Sequence, residues 1–131
     1  MIRTYALHLA LGLAALAACG PPRLTADTQA QIDCLSAKTV TSISDTVKNG
    51  LIAGQTPDEL STVEADEMAA SLAKLNASYP GKTARAHFIS KTSKGLQAIQ
   101  TAVQNPSGEQ AAHTLMQQTF ELAASCTFEG P

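Results

Sequence analysis

The sequence predicts an all-α domain, a small up-down bundle of about four helices. Three observations predict it. Apolar residues recur at steps of three and four through four successive segments, which is the helical period and not the alternation of a strand. Two Ser/Thr-x-x-Glu/Gln patterns, at 56–59 and 107–110, mark helix starts. The connections at 79–81 and 105–107 are short, which favours antiparallel neighbours.

The first helix is expected over Ala26–Asn49, where Ile32, Leu35, Thr39, Ile43 and Val47 form one apolar line. Asn49-Gly50 suits a left-handed stop. Thr39-Val40-Thr41-Ser42-Ile43 is rich in β-branched residues and also has strand character. The second start is the clearest local signal: Thr56-Pro57-Asp58-Glu59 joins an N-cap, a proline at the first helical position and a capping-box Glu. Leu60, Val63, Met68, Leu72, Leu75 and Tyr79 supply its apolar side, and Pro80-Gly81 ends it.

The third helix is expected over Lys82–Gln104, burying Ala84, Phe88, Thr92, Leu96, Ile99 and Val103. Gly95 weakens it by about 1 kcal/mol relative to Ala but permits close approach of a neighbour. Asn105-Pro106 ends this helix. Ser107-Gly108-Glu109-Gln110 opens a fourth, with Ala112, Leu115, Thr119, Leu122 and Cys126 on a strict line.

The amino terminus stands apart from these helices. Met1-Ile2-Arg3-Thr4 is a short positive start, and Tyr5 to Ala18 is nearly all apolar. Such a stretch rises only about 21 Å as a helix, too little for a hydrocarbon core of about 30 Å. It fits an export signal cut after small residues. Leu16-Ala17-Ala18-Cys19 resembles the lipobox of bacterial lipoproteins, and every position of that motif matches. The resemblance covers about the first twenty residues. It implies a signal peptide over 1–18, diacylglycerol on Cys19 Sγ and a further acyl chain on its amino group. Two or more chains anchor stably where one binds marginally. The alternative is general signal-peptidase cleavage that leaves Cys19 a thiol. Gly20, where an Asp would retain such proteins in the inner membrane, implies an outer-membrane protein facing the periplasm. Residues 19–25 then form a lipidated tether, with Pro21 and Pro22 favouring an extended path of less than about 20 Å. Residues 26–131 form the helical domain.

With Cys19 committed to lipid, Cys34 and Cys126 remain, one near each end of the domain. An even pair in an oxidising compartment predicts a disulfide. The alternatives are two buried thiols or a metal pair. A cross-link closing about ninety residues contributes roughly 4–5 kcal/mol in the chain-entropy model, which matters for a small Ala-rich core. One feature resists: at 100° per residue, Cys34 points away from the Ile32–Val47 line.

Arg3 is the only Lys, Arg, Asp or Glu in the first eighteen residues, so the remainder carries a net charge near −3 and is no basic nucleic-acid binder. Catalytic constellations are missing. His87 and His113 lie far apart, and no Cys-x-x-Cys-His, Gly-x-Ser-x-Gly or Gly-rich phosphate loop occurs. The bundle di-iron motif has only a near miss in Gln110-Ala111-Ala112-His113. Neither enzymatic activity nor a metal or cofactor is therefore expected.

Charge is segregated along the chain. Asp58, Glu59, Glu64, Asp66 and Glu67 crowd the second helix, whereas no acid occurs between 68 and 108. His87, Lys91 and Lys94 form a positive stripe at i, i+4 and i+7, with Arg85 nearby. Two accounts compete for it: a face that binds an anionic partner, or internal pairing in which Lys94 answers Asp66 and Glu67 across the 79–81 hairpin. The leading expectation is a membrane-anchored envelope protein whose helical domain binds a protein or envelope polymer. The alternative is a bundle that binds a small ligand or a non-covalent cofactor, with His87 or His113 as a haem ligand.

Overall fold

A computed structural model describes residues 23–131. The export signal, the lipobox and Cys19 lie outside the described residues. Four helices follow one another: α1 (Ala26–Ile52), α2 (Pro57–Ser78), α3 (Lys82–Gln104) and α4 (Gln110–Ser125), with no strand among the described residues.

Local chemistry sets most of the helix ends. Thr25 caps α1, its Oγ1 accepting from Thr28 N at 3.1 Å. The capping box of α2 forms as its sequence predicts: Thr56 Oγ1 accepts from Glu59 N at 3.3 Å, and Glu59 Oε2 accepts from Thr56 N at 2.9 Å. Two ends differ from expectation. α1 continues through Asn49-Gly50 to Ile52, and the left-handed residue is Gly54, at φ 84°. Gly50 is buried inside the helix, where the ends of the Gln55 and Leu60 side chains occupy the space a Cβ would take. The box at 107–110 does not form. Glu109 occupies the cap of α4 in the left-handed region at φ 54°, with no side-chain cap bond. His113 Nε2 instead donates to the Asn105 carbonyl at 2.7 Å and ties the loop to the first turn of α4.

Cross-helix contacts fix the topology. Along α1, Thr39 meets Ser71 and Thr46 meets Glu67, so α2 runs antiparallel to it. Asp33 meets His87 and Ser36 meets Thr92, so α3 runs parallel to α1. Cys34 meets Cys126 and Lys38 meets Ala123, so α4 is antiparallel. The result is an up-down-up-down bundle, and the described chain enters it at one end. We call that the entry end; it also holds the 79–81 hairpin and the carboxyl end of α4.

The bundle is not four equivalent helices. α1 touches all three others, α3 and α4 pack on each other as well, and α2 leans on α1 with little contact to α3. α1 is accordingly buried nearly all round, at Ile32, Cys34 to Ala37, Thr39, Val40 and Ile43. This resolves the orientation of Cys34. The Ile32–Val47 line covers only part of the buried surface, and α4 packs on the side where Cys34 emerges. Cys34 and Cys126 are disulfide-bonded, with Cα atoms 5.9 Å apart and 92 residues between them in sequence. α4 itself has no buried residue. It rests on α1 and α3 through half-buried side chains, and the covalent link holds its carboxyl end in place.

The face of α3 also differs from the predicted line. Ala84, Phe88 and Thr92 are buried as expected, but the following positions are Gly95, Ala98 and Ala102. Leu96 and Ile99 are half-buried, and Val103 is 69% exposed. The cause is close approach to α1: a Cβ on Gly95 would stand 2.9 Å from Val40 Cγ2, so only small residues fit the seam. Ser36 and Thr92 share a buried hydroxyl–hydroxyl bond of 2.8 Å in that seam, which satisfies both groups where no water reaches.

At the entry end, Leu24, Tyr79 and Phe128 close a cluster of Ile32, Leu35, Leu75, Ala84 and Phe88. Phe128 lies in the extended tail after α4 and meets Tyr79 edge-on, with centroids 6.1 Å apart. Gln31 fastens that tail on both sides of Phe128: its Nε2 donates to Thr127 O at 3.3 Å and its Oε1 accepts from Glu129 N at 2.8 Å.

Candidate functional site

The four basic residues singled out on α3 divide between two faces. Arg85 lines a small hollow of about 220 Å³ between α2 and α3, with Leu72, Asn76 and Tyr79. His87, Lys91 and Lys94 line a different concavity, a groove of about 380 Å³ walled by α1, α3 and α4. Two residues along a helix is a rotation of about 200°, so Arg85 cannot share a face with His87. It does not belong to the stripe.

Within the stripe the three residues differ in state. His87 Nε2 donates to Asp33 Oδ1 at 2.7 Å, joining α3 to α1 near the entry end. Both side chains are about a quarter exposed, so the pair is partly screened by water. Lys91 and Lys94 are exposed and, among the described residues, lie within 4 Å of no carboxylate. The proposed answer of Lys94 to Asp66 and Glu67 does not form. Glu67 instead accepts from Ser42 and Thr46, both at 3.0 Å, in the α1–α2 seam. The physical reason is the central position of α1: α2 faces α1, while Lys94 turns into the groove beside α4.

The floor of the groove comes from residues that no motif marks. Ala37 and Val40 of α1, Gly95 of α3, and Leu115 and Leu122 of α4 make it apolar. Ser90 and Gln118 add neutral hydrogen-bonding groups beside the two lysines. Leu122 is 37% exposed here, an incompletely covered apolar side chain. Besides the spacing of the stripe, the sequence signal for this groove is Gly95, whose missing side chain admits Val40. The arrangement has two point charges with three donors each, over a strip of aliphatic carbon. It suits recognition of an anionic group attached to an apolar body.

The other sequence-marked groups take structural positions. Neither histidine offers a free Nε2, since that atom of His87 bonds Asp33 and that of His113 bonds the Asn105 carbonyl. Among the described residues no group of three or more His, Cys, Asp or Glu side chains converges. No described helix is long and apolar enough to cross a membrane. At the end opposite the entry end, Leu51 and Ile52 of α1 and Val103 of α3 are 60%, 76% and 69% exposed.

Compared with protein-family models, curated proteins and solved structures, the chain matches none of them.

Proposed function

We propose that this protein is a lipid-tethered component of the bacterial cell envelope whose helical domain binds an anionic partner, a protein or an envelope polymer, in the groove between α1, α3 and α4. One observation carries the reading: Lys91 and Lys94, with no carboxylate partner among the described residues, stand over an apolar floor of Ala37, Val40, Leu115 and Leu122. Exposed cations steer a negative partner and raise its on-rate, while the apolar floor supplies the area that slows its release. The lipobox at Leu16–Cys19 supports the tether, and anchoring by two or more acyl chains would keep the groove at the membrane.

The test is cross-linking capture from the native envelope with three chains: wild type, Lys91→Glu/Lys94→Glu, and Lys48→Glu. Specific partners lost from the double variant and retained by Lys48→Glu support the groove. Capture that is equal for all three, with unchanged melting temperatures, sinks it.

A further inference from the structure

The folded domain is electrically polar along its long axis, and the polarity is aligned with the point where the chain enters. Leu24 packs on the Ile32–Phe88 cluster, so the described chain begins beside the 79–81 hairpin. The exposed cations Arg23, Lys74, Lys82 and Arg85 stand at that same end. Among the described residues none of the four is within ion-pair distance of a carboxylate. Lys74 Nζ lies 5.5 Å from the centre of the Phe128 ring, where the ring face holds the ammonium without neutralising it. Asp27 and Glu129 are the acids nearest the entry end, while Asp33 is engaged by His87. The opposite half carries Asp45, Asp58, Glu59, Glu64, Asp66, Glu67 and Glu109 against Lys48, while Lys38, Lys91, Lys94 and Glu121 lie towards the middle of the bundle. Lys82 and Arg85 also occupy the first turn of α3, where they oppose the helix dipole and no side-chain cap relieves it.

We infer that the entry end, with Arg23, Lys74, Lys82 and Arg85, is a membrane-facing surface that seats on anionic phospholipid headgroups and holds the bundle upright. Five chain steps separate Cys19 from Leu24, at most about 18 Å of extended backbone, so an anchored domain has its cationic end within reach of the headgroups. The potential of an anionic leaflet decays within a Debye length of about 8–10 Å. α2 alone is about 33 Å long, so the acidic end stands outside that field and feels no comparable repulsion. The headgroups also offset the unfavourable first-turn charges of α3. The groove mouth at Lys91 and Lys94 then stands above the membrane plane, open to a partner. The choice of end rests on Cys19 being the anchor; the charge polarity does not.

The test uses the full chain purified from its own membrane and placed in vesicles of phosphatidylcholine, or of phosphatidylcholine with a quarter phosphatidylglycerol. Lysines are labelled with a water-soluble acylating reagent and quantified by peptide mass. In the anionic vesicles at low salt, labelling of Lys74 and Lys82 should slow about five-fold relative to neutral vesicles, in keeping with the attraction of a basic residue to an anionic surface. High salt should restore it, and Lys48 at the far end should not change. In a Lys82→Glu/Arg85→Glu chain, the protection of Lys74 should fall towards its neutral-vesicle value. Equal labelling of Lys74, Lys82 and Lys48 in both vesicles overturns the inference, as does protection confined to Lys91 and Lys94. The anchor is scored separately, by intact mass and by flotation with neutral vesicles. A chain without acyl groups fails there and refutes the Cys19 reading, while its salt-sensitive flotation with anionic vesicles still decides the cationic end.

Discussion

Val40 of α1 sits on Gly95 of α3, close enough that a Cβ on the glycine would be 2.9 Å from one Val40 methyl carbon and 3.3 Å from the other. Val40 is buried and β-branched within a helix, so it has one favoured rotamer and cannot swing aside. This contact sets the spacing of the two parallel helices and shapes the floor of the groove at once.

Gly95→Ala should therefore destabilise the domain, although alanine is the better helix former. The expected loss is about 1–2 kcal/mol, an overpacking cost reduced by the gain in helix propensity. Denaturant unfolding of Gly95→Ala, Val40→Ala and the double variant checks it. The double variant should lose less than the sum of the two singles, and strict additivity would refute the contact.

The Cys34–Cys126 link should matter most for α4, which has no buried residue of its own. Reduction should lower the melting temperature clearly, since domains of this size have only about 5–15 kcal/mol in total. Amide exchange should then accelerate in α4 and the 126–131 tail before it accelerates in α1. Rapid quantitative alkylation of both cysteines in unreduced native protein would show that the link is absent in solution.

In the α1–α3 seam, Thr92→Val removes one partner of a buried hydroxyl pair and should cost about 1–3 kcal/mol by stranding Ser36 Oγ. Adding Ser36→Ala should recover part of that loss, because the stranded group is then gone. Thermal melts of the three variants decide it. No recovery means that the hydroxyls pair elsewhere.

Lys91→Glu/Lys94→Glu should leave stability within about 0.5 kcal/mol of wild type, since both lysines are exposed and neither has an ion-pair partner among the described residues to lose. A clear drop in unfolding free energy would restore the idea that these charges serve the fold, and would weaken the groove as a binding site.

Cys19→Ser should abolish acylation, because the thioether forms on sulfur and a serine oxygen does not take part in that transfer. The mature mass should lose its acyl increment and the protein should leave the detergent phase. An unchanged mass and unchanged partitioning would overturn the lipid tether.

The sequence by itself determined the number of helices, the first starting near Ala26 and the second at Thr56-Pro57, the antiparallel order, and a cysteine pair available for a disulfide. These follow from short-range chemistry: apolar spacing, a capping box, a hairpin of three residues. It did not reveal that α1 is the central helix, because Ser36 and Ala37 look solvent-tolerant until neighbouring helices cover them. Nor did it show that α3 buries Ala98 and Ala102 while Val103 stays exposed, since the close helix approach that Gly95 permits rewards small side chains over apolar ones. The positive stripe was legible as spacing, but tertiary structure alone assigned each charge its surroundings. Asp33, 54 residues away, engages His87, and α1 separates Lys94 from the acids of α2. Coulomb interactions depend on distances across the fold, and along a helix the sequence fixes only the angle at which each charge leaves the axis.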